Sequence, residues 1–256
     1  MELTCDLALA EGYKSPSQRA RVLSEAWLEK NGYCLACDAD ELRKTPANTK
    51  ATDFICPKCS HGYELKAFKG KRPRVLSDGA FGAMMQKIQG GTAPTLCLME
   101  RTDAWIVRGL TAIHSSFVLP EVIVKRPPLK ASARRRDWVG CNIRLDRIDA
   151  SADVPVVSAG VMQPVELVRR RFQRFLPLAK KSAEQRGWTL LTLSMVRRLG
   201  KTEFALQEMY ALEAEFARAY PQNRHVRDKI RQQLQILRDL GILQFHGEGH
   251  YKLPDY

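Results

Sequence analysis

Two carboxylates and a lysine in one short segment could carry out metal-dependent hydrolysis. Asp53 is followed by Glu64 and Lys66, and only Leu65 separates the last two. Carboxylate oxygens are suitable ligands for Mg²⁺, and a bound ion beside an ammonium group can orient and activate a water molecule. The pattern therefore indicates attack on a phosphodiester. Taken alone it is weak, because alternating charges also occur on strands that face solvent.

Four cysteines flank these residues as two C-x-x-C pairs, a spacing typical of a zinc ribbon. Four thiolates can hold one Zn²⁺ tetrahedrally, and a site closed by four sulfurs is structural rather than catalytic. Two disulfides would require an oxidising compartment, and a redox C-x-x-C would require only one pair, so we favour zinc over both. The predicted zinc ligands are Cys34, Cys37, Cys56 and Cys59.

A β-hairpin with the second cysteine pair at its tip would position the two acids. We expect Ile55 to pair with Ser60 across this hairpin. Asp53 would then be the diagonal neighbour of Glu64, roughly 7 Å away at the backbone. Lys66 would lie on the same face as Glu64, because side chains alternate along a strand. The two predicted strands are Ala51–Ile55 and Tyr63–Phe68.

Composition and charge indicate a globular protein that binds an acidic polymer. The chain has 256 residues, a net charge of +13 and 45% hydrophobic residues, which is enough for two domains with real cores. The charge alone does not separate nucleic acid from a membrane surface. We expect a cytoplasmic protein with reduced cysteines, since no apolar run is long enough to cross a bilayer and no leader is recognisable.

Helices mixed with strands predict an α/β core around the hairpin. A helix before the first cysteine pair would begin at Ser15 as N-cap, with Gln18 at the capping-box position. The other predicted elements are a helix at Ala80–Ile88, strands at Thr95–Met99 and Trp105–Gly109, an extended piece at Phe117–Val124 and a helix at Val165–Leu176 that Pro177 stops.

Two basic segments are candidates for contact with DNA. Lys69–Arg74 is interrupted by Gly and Pro, so we predict a loop that grips backbone phosphates. Arg134 and Arg135 precede Trp138 in a segment that could enter a DNA groove. Judged by residue type alone, Trp138 more often lies in a core or a lid.

Three helices and a terminal hairpin predict a winged-helix domain at the end of the chain. Its third helix, Val226–Leu240, would lie in the major groove. A winged helix that docks on protein remains the alternative. The outward side chains that suit phosphates and base edges are His225, Arg227, Arg231 and Gln232. The preceding segments are a linker at Lys180–Glu184 and helices at Trp188–Leu199 and Leu206–Tyr220.

The spacing of Asp53, Glu64 and Lys66 resembles the PD-(D/E)XK nuclease signature. There the two acids hold the metal and the residue between Glu and Lys, here Leu65, lends a backbone carbonyl. Thr52 stands where the name of the motif expects proline. In nucleases of this fold the first helix often carries a polar residue toward the metal, a role that Gln18 could fill, although capping is the favoured explanation.

With the cysteine pairs, the segment around Trp138 and the helix at Lys229–Asp239, the chain resembles the DpnI family of methyl-directed restriction endonucleases nearly end to end. The resemblance implies a PD-(D/E)XK restriction-endonuclease core with an inserted four-cysteine zinc ribbon in residues 1–181 and a winged helix in residues 182–256. It also implies catalytic Mg²⁺, structural Zn²⁺ and a monomer.

The resemblance further implies cleavage of double-stranded DNA at G-A-T-C sites that carry N6-methyladenine, with both domains reading the site. Trp138 matches the family tryptophan placed against the methylated adenine. An indole packed on the methyl groups would contribute discrimination on the order of 1 to 3 kcal/mol. The alternative is a DNA-binding regulator with a zinc ribbon, a winged helix and an inert nuclease-like core.

Overall fold

The structure is a computed structural model that describes residues 2–46, 49, 51–129 and 132–254. It divides into two compact units, Met1–Lys180 and Lys181–Tyr256. The fold is mixed α/β, as the sequence predicted. Within the described ranges, no helix combines the length and apolarity that a bilayer-crossing segment requires.

The first unit contains fourteen described helices and strands, apart from short 3-10 turns. They are α1 (Pro16–Asn31), β1 (Arg43–Lys44), β2 (Phe54–Ile55), β3 (Gly62–Lys69), β4 (Val75–Ala80), α2 (Phe81–Gln89), β5 (Thr95–Arg101), β6 (Val107–Ile113), β7 (Ile123–Lys125), β8 (Gly140–Arg144), β9 (Asp153–Ser158), β10 (Val161–Met162), α3 (Val165–Gln173) and α4 (Leu176–Ala179).

Two sheets organise this unit. The larger has the order β1-β2-β3-β5-β6-β9-β10, with β3 and β5 parallel and the other neighbours antiparallel. The smaller is antiparallel, in the order β4-β8-β7. The central strand β5 is almost continuously apolar and buried, as expected for a strand covered on both faces.

Helix α1 packs its apolar side on the larger sheet. Leu23, Trp27 and Leu28 are buried there, in the same core cluster as residues of β3. The indole of Trp27 also donates a hydrogen bond of 2.7 Å to the carbonyl of Glu2, so its polar atom has a partner. The helix therefore packs against β3, the strand that carries Glu64, and holds it in place.

The start of α1 differs from the predicted cap. Ser15 is the N-cap residue, but its side chain makes no capping bond and its hydroxyl lies 2.9 Å from that of Ser17. Gln18 is exposed in the first turn. Pro16 at the first helical position makes the cap less necessary, because its missing N–H removes one donor that needs a partner.

Two further segments of the first unit were predicted only partly correctly. The helix predicted at Val165–Leu176 ends at Gln173, and Pro177 does not stop it but lies in the first turn of α4, where proline is tolerated. The piece at Phe117–Val124 is extended only in part: Phe117 and Pro120–Val122 lie in 3-10 turns, whereas Val118, Leu119 and the start of β7 are extended as predicted.

The second unit has helices followed by a small sheet. Its elements are α5 (Ala183–Arg198), β11 (Glu203–Ala205), α6 (Leu206–Tyr210), α7 (Glu213–Ala219), α8 (Val226–Asp239), β12 (Gln244–Phe245) and β13 (His250–Lys252). The sheet order is β11-β13-β12, so the predicted terminal hairpin is confirmed.

Two boundaries in this unit differ from the sequence prediction. Helix α5 begins inside the predicted linker, where Ser182 and Gln185 form a complete capping box. This S-x-x-Q pattern was present in the sequence and could have identified the start. The predicted helix at Leu206–Tyr220 is divided into α6 and α7.

Candidate active site and metal centre

The four predicted zinc ligands form one cluster. Their sulfur atoms all lie within 4.8 Å of one another, and the Sγ separations are 3.6 Å for Cys34 and Cys59 and 3.5 Å for Cys37 and Cys56. A tetrahedral site with Zn–S bonds of about 2.3 Å places its sulfurs about 3.8 Å apart. All seven cysteines of the chain are free, so the disulfide alternative does not apply here. The cluster could hold a metal such as zinc.

The turn between β2 and β3 shapes one half of this cluster. The backbone N–H groups of Lys58 and Cys59 each lie 3.4 Å from the sulfur of Cys56. Burial alone would raise the pKa of the Cys56 thiol, but these N–H groups outweigh burial and the pKa is lowered to about 7. The hydroxyl of Tyr63 lies 3.2 Å from the sulfur of Cys34. The chain thus supplies hydrogen bonds to the sulfurs, as metal-bound thiolates require.

The same turn sets the register of the hairpin, and the predicted pairing of Ile55 with Ser60 is wrong. Ile55 pairs with Gly62, because Ser60 adopts a left-handed conformation (φ 59°) and belongs to the turn. Continuing this register places Asp53 directly opposite Glu64 rather than diagonal to it. The two acids are therefore closer together across the hairpin than in the predicted diagonal arrangement.

Asp53 is anchored to the backbone of the returning strand. Its Oδ2 accepts a hydrogen bond of 2.9 Å from the N–H of Leu65. Burial raises the pKa of Asp53, while this bond and the charge of Lys66 oppose the rise. Glu25 of α1, which is buried and paired with Arg21 and Lys44, adds to the rise. The sequence reasoning had considered Gln18 for this side of the site, not Glu25.

Glu64 and Lys66 share a face of β3, and their charged groups are in contact. The Nζ of Lys66 lies 2.8 Å from Oε1 of Glu64 and 2.8 Å from Oδ1 of Asp78. Both carboxylates are buried. Asp78 comes from β4 in the smaller sheet, and sequence reasoning missed it because no local spacing connects it to Glu64.

The three charged groups shift one another's pKa values. Burial raises the pKa of Glu64 to about 8, Lys66 opposes the rise and the neighbouring Asp78 adds to it. The pKa of Asp78 is lowered despite burial, by hydrogen bonding from Glu64 and by the charge of Lys66. Burial opposes protonation of Lys66, but the two acids raise its pKa overall. In this state Glu64 tends to be protonated and Asp78 ionised.

The buried carboxylate of Glu64 is only partly satisfied by the part of the chain that the structure describes. Among the described residues, no hydrogen bond is formed to its buried Oε2. An unpartnered buried oxygen is costly unless another group binds it. Asp53 lies across the hairpin from Glu64, so a cation bound between them would satisfy that oxygen. The residues present therefore fit a hard divalent ion.

The segment around Trp138 leads directly into the smaller sheet. Trp138 is half-buried, and its ring covers Gly140 so closely that a Cβ added there would lie 2.7 Å from Cη2 of the indole. Arg134 and Arg135 are exposed. Lys130 and Ala131, at the start of the predicted DNA-contacting segment, lie outside the described residues. The segment is therefore basic on its surface and tightly packed at its end.

Two family models match the chain. The model of the Dam-replacing family matches residues 1–181, and that of the Dam-replacing HTH domain matches residues 184–253. The chain belongs to the Dam-replacing family. This DpnI-type family consists of restriction endonucleases. The hairpin with Asp53, Glu64 and Lys66 lies within the residues that match its model.

The Dam-replacing HTH match covers the whole of α8. His225, Arg227, Arg231 and Gln232 are all exposed along this helix and at its start. Arg227 is engaged by Glu213, with 2.6 Å between Nε and Oε2. An open cleft of about 570 Å³ lies at the beginning of the helix. The exposed face is thus available for DNA, with part of its charge paired inside the unit.

The positive charge of the basic loop before β4, which lies in the part of the chain that matches the Dam-replacing family, is partly neutralised. Arg72 pairs with Asp153, and Arg74 lies 3.2 Å from Asp146. Arg74 is nevertheless 81% exposed, so phosphate could compete for it. The loop therefore carries less free charge than its sequence suggested.

Proposed function

We propose that this protein is a Mg²⁺-dependent endonuclease that cleaves double-stranded DNA at G-A-T-C sites containing N6-methyladenine. The observation that carries the proposal is the arrangement of Asp53, Glu64 and Lys66, in which a buried carboxylate oxygen of Glu64 has no hydrogen-bond partner among the described residues. Membership of the Dam-replacing family supports the nuclease class.

Asp53, Glu64 and the carbonyl of Leu65 would hold Mg²⁺, which would supply Lewis-acid stabilisation of the phosphate. Lys66 would orient the attacking water and balance developing negative charge. The high pKa of Lys66 in this structure favours a cationic role over that of a base. The four cysteines would bind structural Zn²⁺ and hold the hairpin turn.

Recognition would use both units. Trp138, flanked by exposed arginines, would pack on the methyl groups in the major groove. The exposed face of α8 would read the same site, as helices of this type do. If both units contact the same methylated site, their preferences for methylated over unmethylated DNA would multiply. We further propose that the protein acts in the cytoplasm as a monomer.

One plasmid experiment tests the proposal. The full chain is incubated with matched methylated and unmethylated plasmids, with Mg²⁺ and with a chelator of Mg²⁺. Fragments from the methylated plasmid alone, in the presence of Mg²⁺ alone, are expected. Intact DNA in every lane together with a mobility shift would instead identify the inert DNA-binding regulator.

A further inference from the structure

We infer that Asp78 is a positioning residue that couples the Trp138 segment to Lys66, so that base recognition controls the rate of cleavage. The inference rests on the proposed function. Asp78 lies outside the Asp-Glu-Lys pattern, and its contact with Lys66 would hold the amine in the correct position.

Asp78 connects the two sheets at the proposed catalytic centre. Lys66 belongs to β3 of the larger sheet and Asp78 to β4 of the smaller one, and their charged groups are 2.8 Å apart. The side chain of Asp78 is 2% exposed and that of Lys66 is 21% exposed. Because a partly dehydrated ion pair is sensitive to geometry, a small shift of β4 would displace the ammonium group.

Strand β4 is hydrogen-bonded to the strand that follows Trp138. Asp78 pairs with Cys141 and Ala80 pairs with Gly140, with an irregularity at Gly79 between them. The N–H of Phe81 also donates a bond of 3.0 Å to the carbonyl of Val139. The two strands therefore form one hydrogen-bonded ladder from the end of the recognition segment to the carboxylate beside Lys66.

The indole is in contact with this ladder. The ring of Trp138 covers Gly140, whose partner Ala80 is two residues from Asp78. A change in ring position on binding a methylated base would be transmitted through Gly140 to β4 because the contact leaves no free space. Poor seating of the ring on an unmethylated base would leave Lys66 displaced from its working position.

The experiment measures single-turnover cleavage by the full zinc-containing protein with Mg²⁺. Substrates are duplexes with one G-A-T-C site, methylated or not. The variants are Asp78→Asn, Trp138→Ala and the double variant. Glu2→Gln is the control, because Glu2 pairs with Lys30 rather than with Lys66 or with the basic loop.

Asp78→Asn is expected to lower the rate on methylated DNA by about 10²-fold, as misplacement of a reacting group does. The enzyme concentration at half-saturation should change less than about twofold, since DNA contacts are retained. The methylated-to-unmethylated rate ratio should fall. In the double variant, the loss should be smaller than the product of the single losses, as expected for coupled residues.

An unchanged rate ratio, or losses that multiply independently, would overturn the inference. If Asp78→Asn does not fold, as judged by its melting transition, Asp78→Glu is measured instead, with the same expected loss of rate at unchanged half-saturation. Absence of cleavage by the wild-type protein would defeat the proposed function itself. Methyl-dependent wild-type cleavage that survives the Asp78 substitution would defeat the coupling alone.

Discussion

Lys66 and Asp78 join two different sheets through a contact of 2.8 Å between Nζ and Oδ1. The same ammonium group also contacts Glu64, so one cation lies between two buried acids. Without Lys66, the ionised Asp78 would lie in a poorly solvated place with no cation to balance its charge, which is strongly unfavourable. The lysine thus contributes to the stability of the site as well as to its proposed chemistry.

Replacing Asp53 should abolish cleavage while leaving DNA binding intact. In Asp53→Ala, the proposed Mg²⁺ site loses a carboxylate, whereas the arginines and α8 are untouched. We expect no fragments from methylated plasmid with Mg²⁺. The DNA affinity in gel shifts should stay within about threefold of the wild type, a smaller change than the loss of one hydrogen bond would cause. Glu2→Gln, which removes the partner of Lys30, serves as the control and should cut normally. Retained cutting by the Asp53 variant would disprove the metal-site assignment.

Removing one cysteine of the cluster should release the metal and loosen the hairpin. Cys59→Ser is suitable because Cys59 is exposed and its loss leaves no core cavity. Zinc content should fall well below a single ion per chain, and the melting temperature should fall because structural zinc contributes on the order of 10 kcal/mol to folding. Cys5→Ala, which removes a buried thiol outside the cluster, should retain zinc. Equal zinc content in both variants contradicts the four-cysteine site.

Stability without added divalent cation should decrease as the pH rises toward 8. The pKa of Glu64 is raised from 4.5 to about 8 chiefly by burial, so the folded state binds this proton more tightly than the unfolded chain does. Its contribution is complete below pH 4.5 and is lost as the pH rises through about 8. The slope is limited to about 1.4 kcal/mol per pH unit for one proton.

Urea unfolding at a series of pH values checks this expectation. Glu64→Gln cannot ionise and should flatten the dependence across the interval. The lowered pKa of Asp78 acts in a different window: it stabilises the fold above 3.8, and that contribution is lost below this value. The same slope in wild type and Glu64→Gln would refute the assignment to Glu64.

Adding a methyl group under the tightly packed indole should impair the proposed methyl recognition. A Cβ at Gly140 would lie 2.7 Å from Cη2 of Trp138, so Gly140→Ala must displace the ring. Cleavage of methylated duplex should fall by about tenfold or more, within the range that one base contact contributes. Gly79→Ala is the matched control on the paired strand, because nothing lies within 4 Å of its added Cβ. Similar activity of the two variants argues against a role for the ring.

The exposed face of α8 should contribute a salt-dependent part of DNA affinity. Arg231→Ala should weaken binding and reduce the slope of log K against log salt by about one, as expected for one phosphate contact. Arg227→Ala should have a smaller effect, because Glu213 already engages that guanidinium. Titrations at several salt concentrations distinguish the two. A slope unchanged by Arg231→Ala would remove this residue from the interface.

The four-cysteine cluster and the strand face shared by Glu64 and Lys66 followed from local spacing. Cysteines two residues apart in a tight turn must present their sulfurs together, and Glu64 and Lys66 must share a face because strands alternate with a period of two. The register of the hairpin did not follow. It depended on Ser60 adopting a left-handed conformation within the turn, which no residue type in Cys56–Ser60 required.

By itself, then, the sequence determined the four-cysteine cluster, the shared face of Glu64 and Lys66, the α/β class and the helices and hairpin at the end of the chain, because these depend on periodicity and on motifs within short segments. Only the tertiary structure decided that Asp78 lies against Lys66, that Glu25 acts on Asp53, and that Trp138 covers Gly140. These contacts join residues far apart in the chain, and burial between the joined elements sets their pKa values. Long-range pairing of this kind leaves no local signal, because it depends on how the sheets pack.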